Sequence, residues 1–285
     1  MRKLVIATRG SGLALVQAET VKKLIEQQGA EAELKIVKTH GDKDRTSPLS
    51  QIGGKGLFVK EIELELSKGD ADIAVHSGKD LPYVLADGMI IAGTTKAADF
   101  RDCLITVKGR TFPEEPVIGT GSPRRTAEYK RINDKAQFRE IRGNVDTRIR
   151  KLMEGQYDGI VLAKAGIDRL GIDTSELDIR IFETDECMPA ACQGILGIEC
   201  REEDKEVVEL IQKITDAISM RRFEMERKLF CSMEADCSMA VGVHAEVEGD
   251  TVWLSAMFEG RKSSVEGQVA DADELIELIK KDLQI

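Results

Sequence analysis

The sequence predicts an α/β protein with a small α+β tail, on three observations. The N-terminal stretch reads strand–helix–strand: Lys3–Thr8 is apolar, a helix-spaced run follows Ser11, and Glu33–Val37 is strand-like again. A second strand–turn–helix unit starts at Val117. The tail alternates with period two over Val241–Val247, Val252–Phe258 and Ser263–Val269, then takes helical spacing over Ala272–Leu283.

Taken in order, Ser11 can cap a helix whose apolar positions are Leu13, Val16, Val21, Leu24 and Ile25, and Gly29 ends it. Arg9-Gly10-Ser11-Gly12 lies where strand becomes helix, a natural anion site because the first backbone N–H groups of a helix lack partners. It half-matches a dinucleotide fingerprint, but Leu15 stands where the third glycine belongs. Residues 39–56 are polar and glycine-containing, as in a functional lid. Leu57–Ser67 reads as an amphipathic helix with Phe58 at its start.

Ile73-Ala74-Val75 is a short buried strand, and His76-Ser77-Gly78-Lys79-Asp80 breaks it just ahead of Pro82. Functional groups gather past the carboxyl ends of strands in open α/β sheets. Two readings fit this turn: a solvated ion pair, or Lys79 holding an anion while Asp80 moves a proton or faces a cation. Met89–Ala92 is the next strand, and 96–116 is a crossover containing a strand at Cys103–Val107.

Ser122-Pro123 is a helix start with proline at the first position. Arg124 and Arg125 follow in the first turn, the wrong end of the dipole by ~0.3–1 kcal/mol each. Such a placement suits a held anion. Residues 119–151 carry ten Lys and Arg against four acids, in a chain whose net charge is −10. Lys130 and Lys135 suit a solvated face, whereas Arg142-Gly143-Asn144 again leads from a strand end into a helix, with Arg148 one turn on. Asp158–Leu162 and Ile179–Phe182 are strands flanking a short helix, Ala163–Leu170, which Gly171 stops. A turn at 188–194 precedes the apolar strand Ile195–Cys200, and helices follow at about 203–214 and 216–231.

The length of 285 residues suggests two or three domains. The negative charge argues against general binding of nucleic acid or anionic membranes, and 4% aromatics leave little surface for base stacking. No apolar run approaches the ~18–20 residues of a membrane span, and Met1–Ala7 is too short for a signal-peptide core, so a cytoplasmic protein is expected. Six cysteines with no Cys-x-x-Cys pair, and three histidines, suit neither a disulfide framework nor a metal site. Most of those cysteines are expected to be buried small hydrophobes.

Cations at strand ends and helix starts (Arg9, Lys79, Arg124, Arg125, Arg142 and Arg148) imply a substrate with several carboxylates or phosphates. Asp80 among them suggests positive charge developing on the bound molecule, or a proton to transfer.

Six stretches together resemble one family, hydroxymethylbilane synthase, also called porphobilinogen deaminase. They are Ala7–Leu15, Gly53-Gly54-Lys55-Gly56-Leu57-Phe58, His76–Pro82, Gly119–Arg125, Arg142–Arg148 and Gln193–Glu199, in family order across the first 200 residues. The resemblance implies two α/β domains like type II periplasmic binding proteins around a cleft, plus a small C-terminal α+β domain with an antiparallel three-stranded sheet. The implied boundaries are 1–97 with about 194–214, 98–193, and 215–285. The implied activity joins four porphobilinogen molecules head to tail into hydroxymethylbilane, releasing ammonia, on a dipyrromethane cofactor attached through a cysteine thioether.

By the same resemblance Asp80 is the catalytic aspartate, and Lys79, Asp80, Ser122, Arg124 and Arg125 hold the cofactor. Arg9, Ser11, Arg142, Arg148, Arg169 and Gln193 contact substrate, while Lys55 and Phe58 belong to the lid. The cofactor cysteine is Cys237, with Cys231 its nearby rival. Its surroundings depart from the family, with Ala235-Asp236-Cys237 in place of Gly-Gly-Cys. Gly12, Gly78 and Gly121 replace bulkier residues, and Cys192 stands where the family usually has glycine. A monomer without metal, nucleic-acid partner or membrane association is expected. Two other readings are a non-catalytic anion-binding module and a nucleotide-dependent enzyme using Gly10–Gly12.

Overall fold

The structure is a computed structural model and describes residues 3–39, 59–235 and 238–285. Its first elements in chain order are β1 (Leu4–Arg9), α1 (Gly12–Gln27), β2 (Ala32–Val37), α2 (Lys60–Ser67), β3 (Ile73–Ser77), β4 (Met89–Thr94) and β5 (Asp102–Val107). Next come β6 (Val117–Gly119), α3 (Pro123–Ile132), β7 (Gln137–Arg139), α4 (Val145–Met153), β8 (Gly159–Ala163), α5 (Lys164–Leu170) and β9 (Leu177–Ile181). The chain ends with β10 (Leu196–Arg201), α6 (Lys205–Ile214), α7 (Ala217–Ser232), β11 (Val241–Glu248), β12 (Thr251–Phe258), β13 (Arg261–Gln268) and α8 (Ala272–Leu283). Two compact units result: Met1–Ala98 with Ile195–Glu224, and Asp99–Gly194 with Met225–Ile285.

The first unit is built on a five-stranded sheet of order β2-β1-β3-β10-β4. β1 runs parallel to β2 and β3, while β10 returns from far along the chain to lie antiparallel between β3 and β4. That insertion explains why Leu196–Cys200 is wholly buried and reads as a near-continuous apolar run. Leu4, Ile6, Ile73, Val75, Leu196 and Ile198 pack against Ala18, Val21 and Ile25 of α1 and Val207, Leu210 and Ile211 of α6. Each fully buried Leu or Ile here stabilises the unit by roughly 1.5–3 kcal/mol relative to an exposed one. The ends of α1 are as expected: Ser11 Oγ accepts from Ala14 N at 3.4 Å, and Gly29 leaves the helix at φ +81°.

In the second unit the five-stranded sheet has the order β7-β6-β8-β5-β9. β6 is parallel to β7 and β8, and β5 is antiparallel to β8 and β9. The tail forms a separate antiparallel sheet, β11-β12-β13. Its inner face (Val243, Ala245, Leu254, Ala256) packs on Met225 and Leu229 of α7 and Leu275 and Ile279 of α8. The third tail strand starts at Arg261, two residues ahead of its expected start, because Glu259 and Gly260 take the left-handed turn between the strands. β11 also lies directly on the 188–189 backbone: Val243 N donates to Pro189 O at 3.0 Å. A Cβ on Gly242 would stand 2.8 Å from that same carbonyl oxygen, so only glycine fits there.

Candidate functional site

The expected site residues fall in both units. In the first, β1 and β3 are parallel neighbours, so Arg9 and the Lys79–Asp80 turn leave the sheet at the same edge. Gln17 Nε2 on α1 donates to Ser77 Oγ at 2.9 Å, tying the helix behind Arg9 to the end of β3. Gly78 N donates to Ile195 O at 2.9 Å and opens a single 3-10 turn, Gly78–Asp80. Gly78 is buried with an ordinary negative φ, so the left-handed region is not what calls for glycine there. Lys79 and Asp80 are both exposed. Beneath them His76 Nε2 lies 2.7 Å from Glu199 Oε2, both side chains buried.

In the second unit the three parallel strands β6, β7 and β8 deliver α3, α4 and α5 from one sheet edge. Ser122 caps α3, its Oγ accepting from Arg125 N at 3.4 Å, with Pro123 at the first helical position. Arg124 and Arg125 do not project into solvent. Both are buried on Asp102, the first residue of β5, which is itself fully buried. Arg124 Nη1 donates to Asp102 Oδ2 and to Met188 O, each at 2.6 Å. Arg125 donates to Asp102 Oδ1 from Nη2 at 2.7 Å and from Nε at 3.1 Å, and its Nη1 donates to Val161 O at 3.1 Å. Gln193 Nε2 joins them, donating to Asp102 Oδ1 at 3.0 Å and to Phe100 O at 2.7 Å. Burial alone would raise the Asp102 pKa, but the two guanidinium charges and their hydrogen bonds outweigh it and hold the carboxyl well below the usual range.

The anion-holding role assigned to Arg124 and Arg125 therefore meets a prior commitment to Asp102. Arg125 uses all three guanidinium nitrogens within the protein. Arg124 uses only Nη1, so its Nε and Nη2 N–H groups can still take a carboxylate. Sequence reasoning missed Asp102, and the available signal was slight: one acid adjoining an apolar strand.

Arg142 and Arg148 meet around Gly143. Arg148 Nε donates to Gly143 O at 2.7 Å, and Lys151 Nζ donates to Arg142 O at 3.1 Å. Arg142 Nε donates to Glu140 Oε1 at 2.8 Å, but its Nη2 is buried with no acceptor among the described residues. A buried guanidinium N–H left this way fits an incoming carboxylate. Arg169 Nη2 donates to Gly194 O at 2.6 Å, and burial brings its pKa down to about 10. Arg169 and Gln193 are thus gathered at one turn, which also holds Cys192 at φ +60°.

Lys55, Phe58 and Cys237 lie outside the described residues. Cys103, Cys187, Cys192 and Cys200 are buried, and burial pushes the thiols of Cys103, Cys187 and Cys200 up to about 12, which leaves them un-nucleophilic at neutral pH. Cys231 is half-buried on α7. The described residues contain no His, Cys, Asp and Glu cluster able to hold a metal ion, and no helix among them is long and apolar enough to cross a membrane.

Residues 4–209 match a family described as "Porphobilinogen deaminase, dipyromethane cofactor binding domain". The porphobilinogen deaminase of Sulfurimonas denitrificans is 42% identical over 88% of this chain and 81% of its own length. That of Exiguobacterium sibiricum is 41% identical over 94% of this chain and 87% of its own, and that of Streptococcus sanguinis 39% identical over 97% and 94%. Among solved structures, a probable amino-acid ABC transporter extracellular-binding protein from Bacillus subtilis is similar over 75% of this chain and 90% of that one, at 10% identity and a TM-score of 0.46.

Proposed function

The chain belongs to the porphobilinogen deaminase family, and we propose how its own residues divide that family's work. It is a transferase that polymerises four porphobilinogen molecules head to tail into hydroxymethylbilane with release of ammonia, on a covalently bound dipyrromethane. Porphobilinogen carries an acetate and a propionate, so each added unit brings two carboxylates that need cationic partners. The second unit's donors suit such a group: the Nη2 of Arg142, the remaining N–H groups of Arg124 and the Ser122 hydroxyl.

The bound dipyrromethane supplies the pyrrole carbon from which the chain grows. Lys79, Ser122 and Arg124 hold its carboxylates, while Asp102 keeps Arg125 in place behind them. Arg9, Ser11, Arg142, Arg148, Arg169 and Gln193 orient the incoming porphobilinogen. Asp80 accepts the pyrrole N–H hydrogen bonds, stabilises positive charge as ammonia departs, and takes up the proton lost when the new bond restores aromaticity. Its solvent-exposed place beside Lys79 supports this assignment, because a group that shuttles protons needs access to both substrate and water. The thiol that carries the cofactor is Cys237, and the enzyme works as a cytoplasmic monomer.

The orphaned guanidinium nitrogen of Arg142 is the observation that carries the division of roles. Intact mass under denaturing conditions tests it at its base. The purified chain should exceed its sequence mass by one dipyrromethane, and Cys237→Ser should remove the excess. An unmodified but fully active protein would overturn the cysteine assignment. Sedimentation at working concentration tests the monomer.

A further inference from the structure

On the sheet face beneath α2 in the first unit, a buried carboxyl oxygen has no donor among the described residues. Glu199, on β10, is fully buried, and while its Oε2 lies 2.7 Å from His76 Nε2, its Oε1 is buried with no donor among the described residues. Glu63, on α2, is buried too, with Oε1 accepting from Ala86 N at 2.9 Å, and it stands one turn before Leu66 on the helix that packs over the sheet face carrying Glu199. Two carboxylates only accept, so a hydrogen bond between them requires that one carry a proton. Leaving both ionised in a buried layer costs far more than sharing one proton.

We propose that Glu63 carries that proton and donates it to the orphaned Oε1 of Glu199, completing a buried Glu63–Glu199–His76 chain that positions the Lys79–Asp80 turn. Glu199 is the acceptor in this pair because its other oxygen is already engaged with His76 Nε2. Among the described residues Glu63 has one backbone amide as its donor, and burial first, then the nearby Glu199, pushes its pKa up against the opposing pull of that amide and of His76.

Sheet register sets up the encounter. Glu199 stands opposite Ala74 and Gly197 opposite His76, so Glu199 and His76 share one face of the β3–β10 pair. α2 covers that face, with Ile62 and Leu66 packed on Ala74. Among the described residues the charged groups acting on Glu63 are Glu199 and His76, Arg201 of β10 binds the Leu66 carbonyl at the far end of α2, and β1, β2 and β4 contribute Ala7, Val37 and Met89 to the layer, none of them titratable. His76 adjoins Ser77, held by Gln17, and Gly78, held by Ile195. The proton-sharing chain thus anchors from below the last strand residues before Lys79 and Asp80. Glu63, Glu199 and His76 are positioning residues. The location of the proton stands on the first unit alone, and its effect on turnover rests on the role proposed for Asp80.

The experiment compares Glu63→Gln and Glu63→Leu in the cofactor-loaded enzyme. Glutamine supplies the same donor to Glu199 and the same acceptor to Ala86 N, so E63Q should keep the melting temperature to within a few degrees and kcat to within about twofold. E63L orphans both partners, and should lower kcat by about tenfold or more with little change in KM. The infrared carbonyl band of a protonated carboxyl group should be present in the parent enzyme and lost in E63Q. A folded-state pKa raised above the ordinary 4.5 stabilises below that value and loses its contribution as pH rises through the raised value. The parent enzyme should therefore lose stability relative to E63Q on going from acid to alkaline pH.

E63Q as damaged as E63L, a stability difference flat with pH, or no protonated-carboxyl band lost would each overturn the proposal. If E63L does not fold, the E63Q measurements still decide. Intact mass reads cofactor loading separately, so an unloaded parent enzyme counts against the proposed function without moving the proton.

Discussion

The turn after β3 and the turn after β6 both carry basic side chains at the end of a strand, and what lies under each differs. After β3, Lys79 and Asp80 are neighbours in sequence and both exposed, and the buried polar contact below them is His76–Glu199. After β6, Arg124 and Arg125 are themselves the buried polar layer, locked on Asp102, 22 and 23 residues earlier in the chain. The first turn keeps its functional groups in water and puts its scaffold beneath. The second buries its arginines in the scaffold itself, with Arg125 bonded through all three guanidinium nitrogens and Arg124 through Nη1. The charges after β3 stay where water reaches them, while those after β6 are desolvated and paired.

The largest effect that would break this contrast lies at Asp80. Asp80→Asn should retain the covalent cofactor by intact mass while lowering kcat by about 10²–10⁴-fold. Near-normal turnover would make Asp80 as structural as Asp102.

Asp102 should act in the opposite way, on the fold first. Asp102→Leu leaves two guanidinium groups buried without their carboxylate, a loss of about 3–5 kcal/mol by urea denaturation. The pH dependence has a definite sign. Because its folded-state pKa is depressed, Asp102 contributes stability above its ordinary 3.8 and loses it as pH falls below that value. Asp102→Asn should therefore show a shallower acid limb than the parent protein in thermal melts.

A smaller effect sharpens the division within the second unit. Arg142→Met should raise KM for porphobilinogen by about tenfold, the worth of one charge-assisted hydrogen bond, while shifting stability by less than about 0.5 kcal/mol. A large fall in melting temperature would place Arg142 with Arg125 as scaffold.

The smallest expected change is at Cys192, whose φ of +60° sits where glycine is at ease. Cys192→Gly should be more stable than Cys192→Ala by about 1 kcal/mol, measured as the difference between the two melts.

Local rules were enough for much of the architecture, because capping and periodicity act over one or two turns of chain. Ser11, Ser122 and Gly171 end or begin helices as their chemistry dictates, the last at φ +57°. The strands of the tail and the helix Ala272–Leu283 follow from period alone. The clustering of cations at strand ends was also legible, since it needs only the order of elements along the chain.

The partners of those cations were not. Nothing in the residues around Asp102 says that Arg124 and Arg125 will close on it, because β5 reaches α3 only through the antiparallel pairing of β5 with β8 and the parallel pairing of β8 with β6. Likewise Glu199 looks like one acid in an apolar strand until β10 is inserted between β3 and β4 and brings it to His76 and Glu63. Sequence neighbours decide backbone shape, and through it where the Gly78–Asp80 turn and the arginine helix begin. Which charges become paired, and which oxygen is left without a donor, depends on desolvation, and desolvation exists only once distant strands have met.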